Sequence, residues 1–190
     1  MNMKALEHLR TINHHKKLVM ENCFKVGLYR QGLMHDLSKY TPTEFLVGCR
    51  YYQGTRSPNN AEREATGYSS AWLHHKGRNK HHYEYWIDYS PNPHEGIVGM
   101  KMPLKYVAEM FCDRLAASKN YQGDKYTPEH PLAYYVKDRD KIIIHPEVDA
   151  LLMKLLTMLK DEGEDAVFTY LKNLLKEEKT NTKKEKIGSY

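Results

Sequence analysis

No stretch of the chain is apolar for the roughly 18 residues that a membrane-spanning helix needs, so no such helix is expected among its 190 residues. The opening segment, MNMKALEHLR, lacks the apolar centre of a signal peptide, and a cytoplasmic location without a membrane partner is expected. Cysteine is scarce. Cys23, Cys49 and Cys112 form no CxxC pair and are odd in number, which points to reduced, buried thiols. Strand-like alternation is also missing: 141–144, KIII, is the one short candidate, and no internal repeat occurs. Positive charge is only in slight excess. The formal net charge is +5, part of it in the lysine-rich segment 176–186, so a nucleic-acid partner is not expected.

What remains is helical periodicity. Hydrophobic residues make up 41% of the chain, enough for one domain with a sizeable core. Ala5, Leu9, Ile12, Val19 and Cys23 recur at helical spacing and predict a long helix over 3–26, broken at Gly27. A short helix is predicted over 28–38. Thr41, Pro42 and Glu44 read as the N-cap, first-turn proline and third residue of a capping box, opening a helix that ends near residue 53. After a turn at 54–60, helices are predicted over 61–76 and 79–87, then a Pro- and Gly-rich loop over 88–102. Helices over 103–119, 128–138, 146–160 and 164–178 follow. Helical segments throughout and no convincing sheet predict an all-α fold, a single-domain helical bundle over 1–178, with 179–190 a disordered basic tail.

Histidine is the residue in excess. Six of the eleven stand in adjacent pairs, His14-His15, His74-His75 and His81-His82, and His35 is followed directly by Asp36. Imidazole is the commonest biological metal ligand, which makes this clustering the feature to explain. In chain order His15, His35-Asp36, His74/His75, His81/His82 and Asp113 fall on separate predicted helices, the way a metal site is built inside a bundle. Adjacent residues on a regular helix point about 100° apart. His35 and Asp36 can therefore share a centre only near a helix end or a local distortion, or if Asp36 bridges two ions. By the same rule one member of each histidine pair faces the site. His75 and His81 are the candidates, with His74 and His82 as rivals, while His8, His94, His130 and His145 are expected at the surface or in caps. Nitrogen and oxygen donors together suit a divalent transition metal (Mn, Fe, Co, Ni or Zn). One ion or two fit this reading, and a bridging carboxylate suits a pair about 3.5–4 Å apart.

The order H…HD…H…H…D resembles the HD superfamily of metal-dependent phosphohydrolases. The segment His35-Asp36-Leu37-Ser38-Lys39 is similar to the superfamily's dyad followed three residues later by lysine. His15, twenty residues upstream, fits its first histidine, and Asp113 its closing aspartate. More narrowly, HDLSK followed by a Glu-Phe helix and then by AWLHHKGRNKHHYEYW over 71–86 resembles a group of bacterial and phage proteins, across roughly residues 10–120. The resemblance implies a helical fold of HD type, a divalent metal and hydrolysis of a phosphate ester. It implies His15, His35, Asp36 and Asp113 as ligands, Lys39 as a contact to substrate phosphate and Asp36 as holder of the attacking water. Two-metal members separate their third and fourth histidines more widely than this chain does, so either pair, or only one, could supply a ligand, and a mononuclear site is the other outcome.

Lys76, Arg78 and Asn79 surround Gly77 in a polar, basic segment whose functional reading is a phosphate-binding rim, beside the bland one of a solvated loop. Tyr83, Tyr85, Trp86 and Tyr89 are expected in the core. The expected activity is that of a metal-dependent phosphohydrolase on a small phosphorylated molecule, nucleotides first among them. A di-iron HD-type oxygenase and a non-catalytic metal- or nucleotide-binding module are the rival readings. The leucine-rich C-terminal helices offer either core or a homodimer face.

Overall fold

Ile12, His15, Val19, Asn22 and Cys23 form a buried stripe down one side of the first helix, α1 (Met3–Lys25), as the sequence periodicity requires. The computed structural model describes residues 3–188. Gly27, at φ 79°, ends α1 in the left-handed conformation that only glycine adopts at little cost, while Leu28 N–H reaches back 2.9 Å to the Cys23 carbonyl. The chain then turns into α2 (Tyr29–Met34), which lies on α1. Gly32 permits that approach, since a Cβ there would stand 3.1 Å from Cys23 Cβ.

A 3-10 turn (Leu37–Tyr40) leads into α3 (Pro42–Tyr51), which packs on α4 (Pro58–Thr66) and α5 (Ser70–Lys76). A second 3-10 turn (Tyr83–Trp86) opens a small antiparallel pair, β1 (Ile87–Tyr89) and β2 (Ile97–Gly99), in the register Ile87 with Gly99 and Tyr89 with Ile97. Next comes α6 (Leu104–Gln122), the central helix, which lies along α1 and also meets α7 (His130–Asp138), α8 (Pro146–Glu162) and α9 (Glu164–Gly188). The apolar core sits among these helices: Val19 and Cys23 of α1, Phe111 and Leu115 of α6, Leu152, Leu155, Leu156 and Leu159 of α8, Val167 and Leu171 of α9. The fold is a predominantly all-α single domain, and among the described residues no helix is long and apolar enough to cross a membrane.

Several local expectations change. The helix read over 61–76 is two helices, because Gly67 takes a left-handed φ of 84° and Ser69 starts α5 by accepting from Trp72 N–H at 3.0 Å. The helix read over 79–87 is a turn followed by the 3-10 segment. The loop read over 88–102 contains the β pair, pinned where Gly99 meets the backbone of Ile144 and His145, 2.5–2.8 Å from where a Cβ would stand. The strand candidate 141–144 is not a strand: Lys141 ends a 3-10 turn, and 142–144 run past the hairpin without secondary structure. The aromatic group divides: Tyr83 and Trp86 pack against the core, while Tyr85 and Tyr89 are exposed. The last helix continues past 178 to Gly188, with no glycine or proline to stop it earlier. The end of the expected tail, 189–190, lies outside the described residues.

Candidate metal centre

The helix read over 28–38 breaks at the His35-Asp36 dyad. It stops at Met34, His35 turns to ψ 128°, and Asp36 takes φ 53°, ψ 28°. Asp36 is the one non-glycine residue at positive φ among the described residues, and aspartate tolerates that region better than most side chains. Lys16 secures the break by donating its ammonium to the carbonyls of Leu33 and His35, each at 2.8 Å. The kink removes the 100° divergence expected on a regular helix. His35 and Asp36 are both buried, at 1% and 2% exposure, and their side chains meet, with His35 Nε2 3.3 Å from Asp36 Oδ2.

Two sets of donors converge on Asp36. The first comprises His15 from α1, His35, Asp36 and Asp113 from α6. In it His15 Nε2 lies 3.0 Å from Asp113 Oδ1 and 3.9 Å from Asp36 Oδ2, and His35 Nε2 lies 3.6 Å from Asp113 Oδ1. The second comprises Asp36, His75 from α5, and His81 and His82 from the turn that follows. Here the other carboxylate oxygen, Asp36 Oδ1, is 3.2 Å from His75 Nε2 and 3.4 Å from His81 Nε2, while His75 Nε2 and His82 Nε2 stand 2.9 Å apart. The outer faces of the imidazoles are held by carboxylates. Glu109 Oε1 is 3.0 Å from His35 Nδ1 and 3.2 Å from His81 Nδ1. Glu44 Oε2 is 2.8 Å from His75 Nδ1, and its Oε1 takes His74 at 2.6 Å.

These residues fit a bound cation on two grounds. His15 Nε2, His35 Nε2, His81 Nε2 and both oxygens of Asp36 are buried without a hydrogen-bond partner among the described residues. Buried polar atoms are rarely left so, and a cluster of such atoms in one place calls for an ion or water. Their separations also match. Bonds of about 2.0–2.2 Å to one ion leave neighbouring donors roughly 3–3.6 Å apart; the nearer pairs here stand 2.9 to 3.9 Å apart, and all donors of a set lie within 4.8 Å of one another. The carboxylate-to-imidazole contacts are the usual outer support of a ligating histidine.

Electrostatics point the same way. Burial alone would strip the proton from His35, but the carboxylates of Asp36, Asp113 and Glu109 reverse this and hold its pKa well above the ordinary imidazole value. His75 is raised likewise, against its burial, by Asp36 and Glu44. Burial would raise Asp36, yet His35, Lys39 and His75 keep it well below the usual carboxylate range, and His15 and His35 do the same for Asp113. The cluster is an acidic pocket that takes up protons when no cation neutralises it. His15 and His82, in contrast, are driven towards neutrality, chiefly by burial. Neutral imidazole is the ligating form.

The residues read from the sequence as ligands, His15, His35, Asp36, His75, His81 and Asp113, all come together. His82 joins them because 81–82 is not helical: His82 has an extended backbone, so the one-member-per-pair rule does not apply. His74 turns instead to Glu44. Glu44 is a correction. Read as a capping residue, it is buried under the histidines, and Thr41 makes no side-chain cap, its hydroxyl donating to the Ser38 carbonyl at 2.6 Å. Glu109 escaped notice although it precedes Asp113 by four residues, the spacing that puts both on one helix face. Lys39 Nζ stands 2.6 Å from Asp36 Oδ2, off the hydrogen-bonding direction, with its side chain 30% exposed. Of the basic segment, Arg78 is exposed at the end of α5 and Lys76 half-buried. Asn79 is half-buried, and its amide donates to Ser38 Oγ at 2.9 Å and to the His75 carbonyl at 2.8 Å, tying the histidine loop to the dyad turn. His8, expected at the surface, is buried against Phe45 and Tyr52, and burial together with Lys39 lowers its pKa to about 4. His145 does cap α8, accepting from Glu147 N–H.

Comparison with curated proteins and with solved structures gives no match. A family model does match, over a span that contains every residue of both donor sets. By that match to residues 4–158, the chain belongs to the Family of unknown function (DUF5662).

Proposed function

We propose that the chain is a metal-dependent phosphohydrolase of HD type, acting on a small phosphorylated molecule at a two-ion centre shared through Asp36. The observation that carries this reading is the sharing itself: two four-residue donor sets, three residues of each buried and the fourth half-buried, meet at the two oxygens of one carboxylate. Ions bridged at about 3.5–4 Å are suited to clamping the attacking and leaving oxygens of a phosphoryl displacement. The mixed imidazole and carboxylate donors suit Mn, Fe, Co, Ni or Zn. Bound there, such ions would supply Lewis acidity and a water acidified towards neutrality.

The chain's own residues supply the rest. Asp36 holds the two donor sets in register. Lys39, its pKa raised by Asp36 and Asp113 against the effect of burial, stays cationic beside the bridge. Its partly exposed ammonium is placed to offset charge on phosphoryl oxygens. Arg78 and Lys76, at the end of α5 just beyond His75, add positive charge on that side. Nucleotides are the first substrates to try. A di-iron oxygenase with a similar ligand order is the second reading, and Lys39, a counter-charge for phosphate, favours the first.

The test is elemental analysis of the purified protein, followed by a phosphatase screen over nucleotides and simple phosphomonoesters with added Mn, Co or Ni. Turnover is expected in the wild type and absent from His35→Ala and Asp36→Asn, with metal lost in parallel. Phosphatase activity surviving in those variants overturns the proposal. Bound iron with a characteristic absorbance and no phosphate-ester turnover would move the assignment to the second reading.

A further inference from the structure

Glu109 lies one turn before Asp113 on α6 and is 5% exposed. A single one of its oxygens, Oε1, faces two imidazoles: His35 Nδ1 at 3.0 Å and His81 Nδ1 at 3.2 Å. His35 belongs to the first donor set and His81 to the second. Glu44 is arranged differently. Its Oε2 takes His75 Nδ1, while its Oε1 is spent on His74, which belongs to neither set.

We propose that Glu109 is a positioning residue that ties the two ion sites together, so that its loss weakens both ions at once, whereas loss of Glu44 weakens one. The inference deepens the two-ion reading above and rests on it. An imidazole that donates Nδ1–H to an acceptor is fixed in one tautomer and one orientation, with its Nε2 lone pair presented on the other side. In both His35 and His81 the Nε2 is the atom near Asp36, at 3.3 and 3.4 Å. Because the same oxygen serves both rings, it cannot follow one without leaving the other. Asp36 joins the sites through the donors themselves, and Glu109 joins them again through the ring nitrogens behind. A third ion held by His35, His81 and Glu109 is the competing assignment. The Nδ1 atoms lie at hydrogen-bond length from Glu109 Oε1, whereas both Nε2 atoms are buried without a partner among the described residues, so it is Nε2 that is left to the centre.

Calorimetric titration of the full-length protein with Mn(II), alongside thermal unfolding, tests this in wild type, Glu109→Ala, Glu109→Gln and Glu44→Gln. Two binding steps are expected in the wild type. Both should weaken by about 10–100-fold in Glu109→Ala and by less in Glu109→Gln, whose carbonyl oxygen still accepts. Only one step should weaken in Glu44→Gln. Imidazole nitrogen spectra should show His35 and His81 as Nδ1–H tautomers in wild type and mixed tautomers in Glu109→Ala, a change that general loosening of the fold does not produce. If Glu109→Ala fails to fold, Glu109→Gln with a wild-type unfolding temperature carries the test. A folded Glu109 variant that keeps both steps unchanged, or loses one alone, overturns the coupling and leaves the two-ion reading standing. A wild type that takes up no Mn(II) overturns both.

Discussion

Asp36 combines two demands that rarely meet in one side chain. Its backbone must take the left-handed turn that ends α2, and its carboxylate must reach donors on both sides. Asparagine tolerates the same turn but carries no charge. Asp36→Asn is therefore expected to fold and to lose both ions. His15→Ala and His82→Ala should each lose one, since each belongs to a single donor set. Elemental analysis after dialysis reads the three stoichiometries, and an Asp36→Asn protein with full metal content would contradict the bridge. At this scale the sequence was largely readable. Every residue picked as a ligand from pairing and order is in the cluster. Glu44 and Glu109 were not read, for a physical reason: a carboxylate supporting an imidazole from behind has no local sequence signature. Glu44 also stands at a position where capping was a sufficient explanation.

At the scale of elements, α5 delivers His75 and depends on its start. Ser69 accepts from Trp72 N–H and donates to Glu62, which also takes the N–H and hydroxyl of Ser70. Ser69→Ala is expected to cost about 1 kcal/mol as a lost N-cap, and more because buried Glu62 loses a donor. Urea unfolding measures the loss. The approach of α3 to α1 depends on Gly48, where an added Cβ would overlap the ring of His8. Gly48→Ala should cost roughly 1–3 kcal/mol as an overpacking change, and Gly48→Ala, His8→Ala together should recover part of it by freeing the space. A double variant no better than the single would place the strain elsewhere. Helix existence was legible from apolar periodicity in α1, α6, α8 and α9, and from start signals with a first-turn proline in α3 and α7. Boundaries at 35–36, 67 and 79–82 were not, since each is set by a glycine or by polar contacts to distant residues rather than by local apolar spacing.

The whole molecule divides its long helices between two duties. One face of α1 and α6 builds the apolar core with α8 and α9, while His15 of α1 and, interleaved with the core residues of α6, Glu109 and Asp113 face the centre. Ion binding should therefore stabilise the fold as a unit, by about 2.7 kcal/mol when free ion is a hundred times its dissociation constant. Chelation should lower the unfolding temperature in one cooperative step. The gain should depend on pH. His35 and His75, raised in the ion-free protein, give stability that is full below the ordinary imidazole pKa and is lost as pH rises through their raised values. An ion replaces those protons, so its stabilising effect should grow as pH rises from the ordinary imidazole pKa towards the raised values, with protons released on binding. A metal-induced shift in unfolding temperature that shrinks over that range would count against the centre.

Composition and periodicity alone determined that this chain is helical, where its core-facing stripes run, and which side chains are chemically able to bind a cation. Those properties follow from local spacing and side-chain chemistry, which need no knowledge of distant partners. Only the tertiary structure decided that the donors form two sets and not one, that His81 and His82 face the same way, and that Glu44 and Glu109 stand behind the rings. These are relations between residues far apart along the chain, and they come into being only when α1, α3, α5 and α6 pack around a kinked dyad.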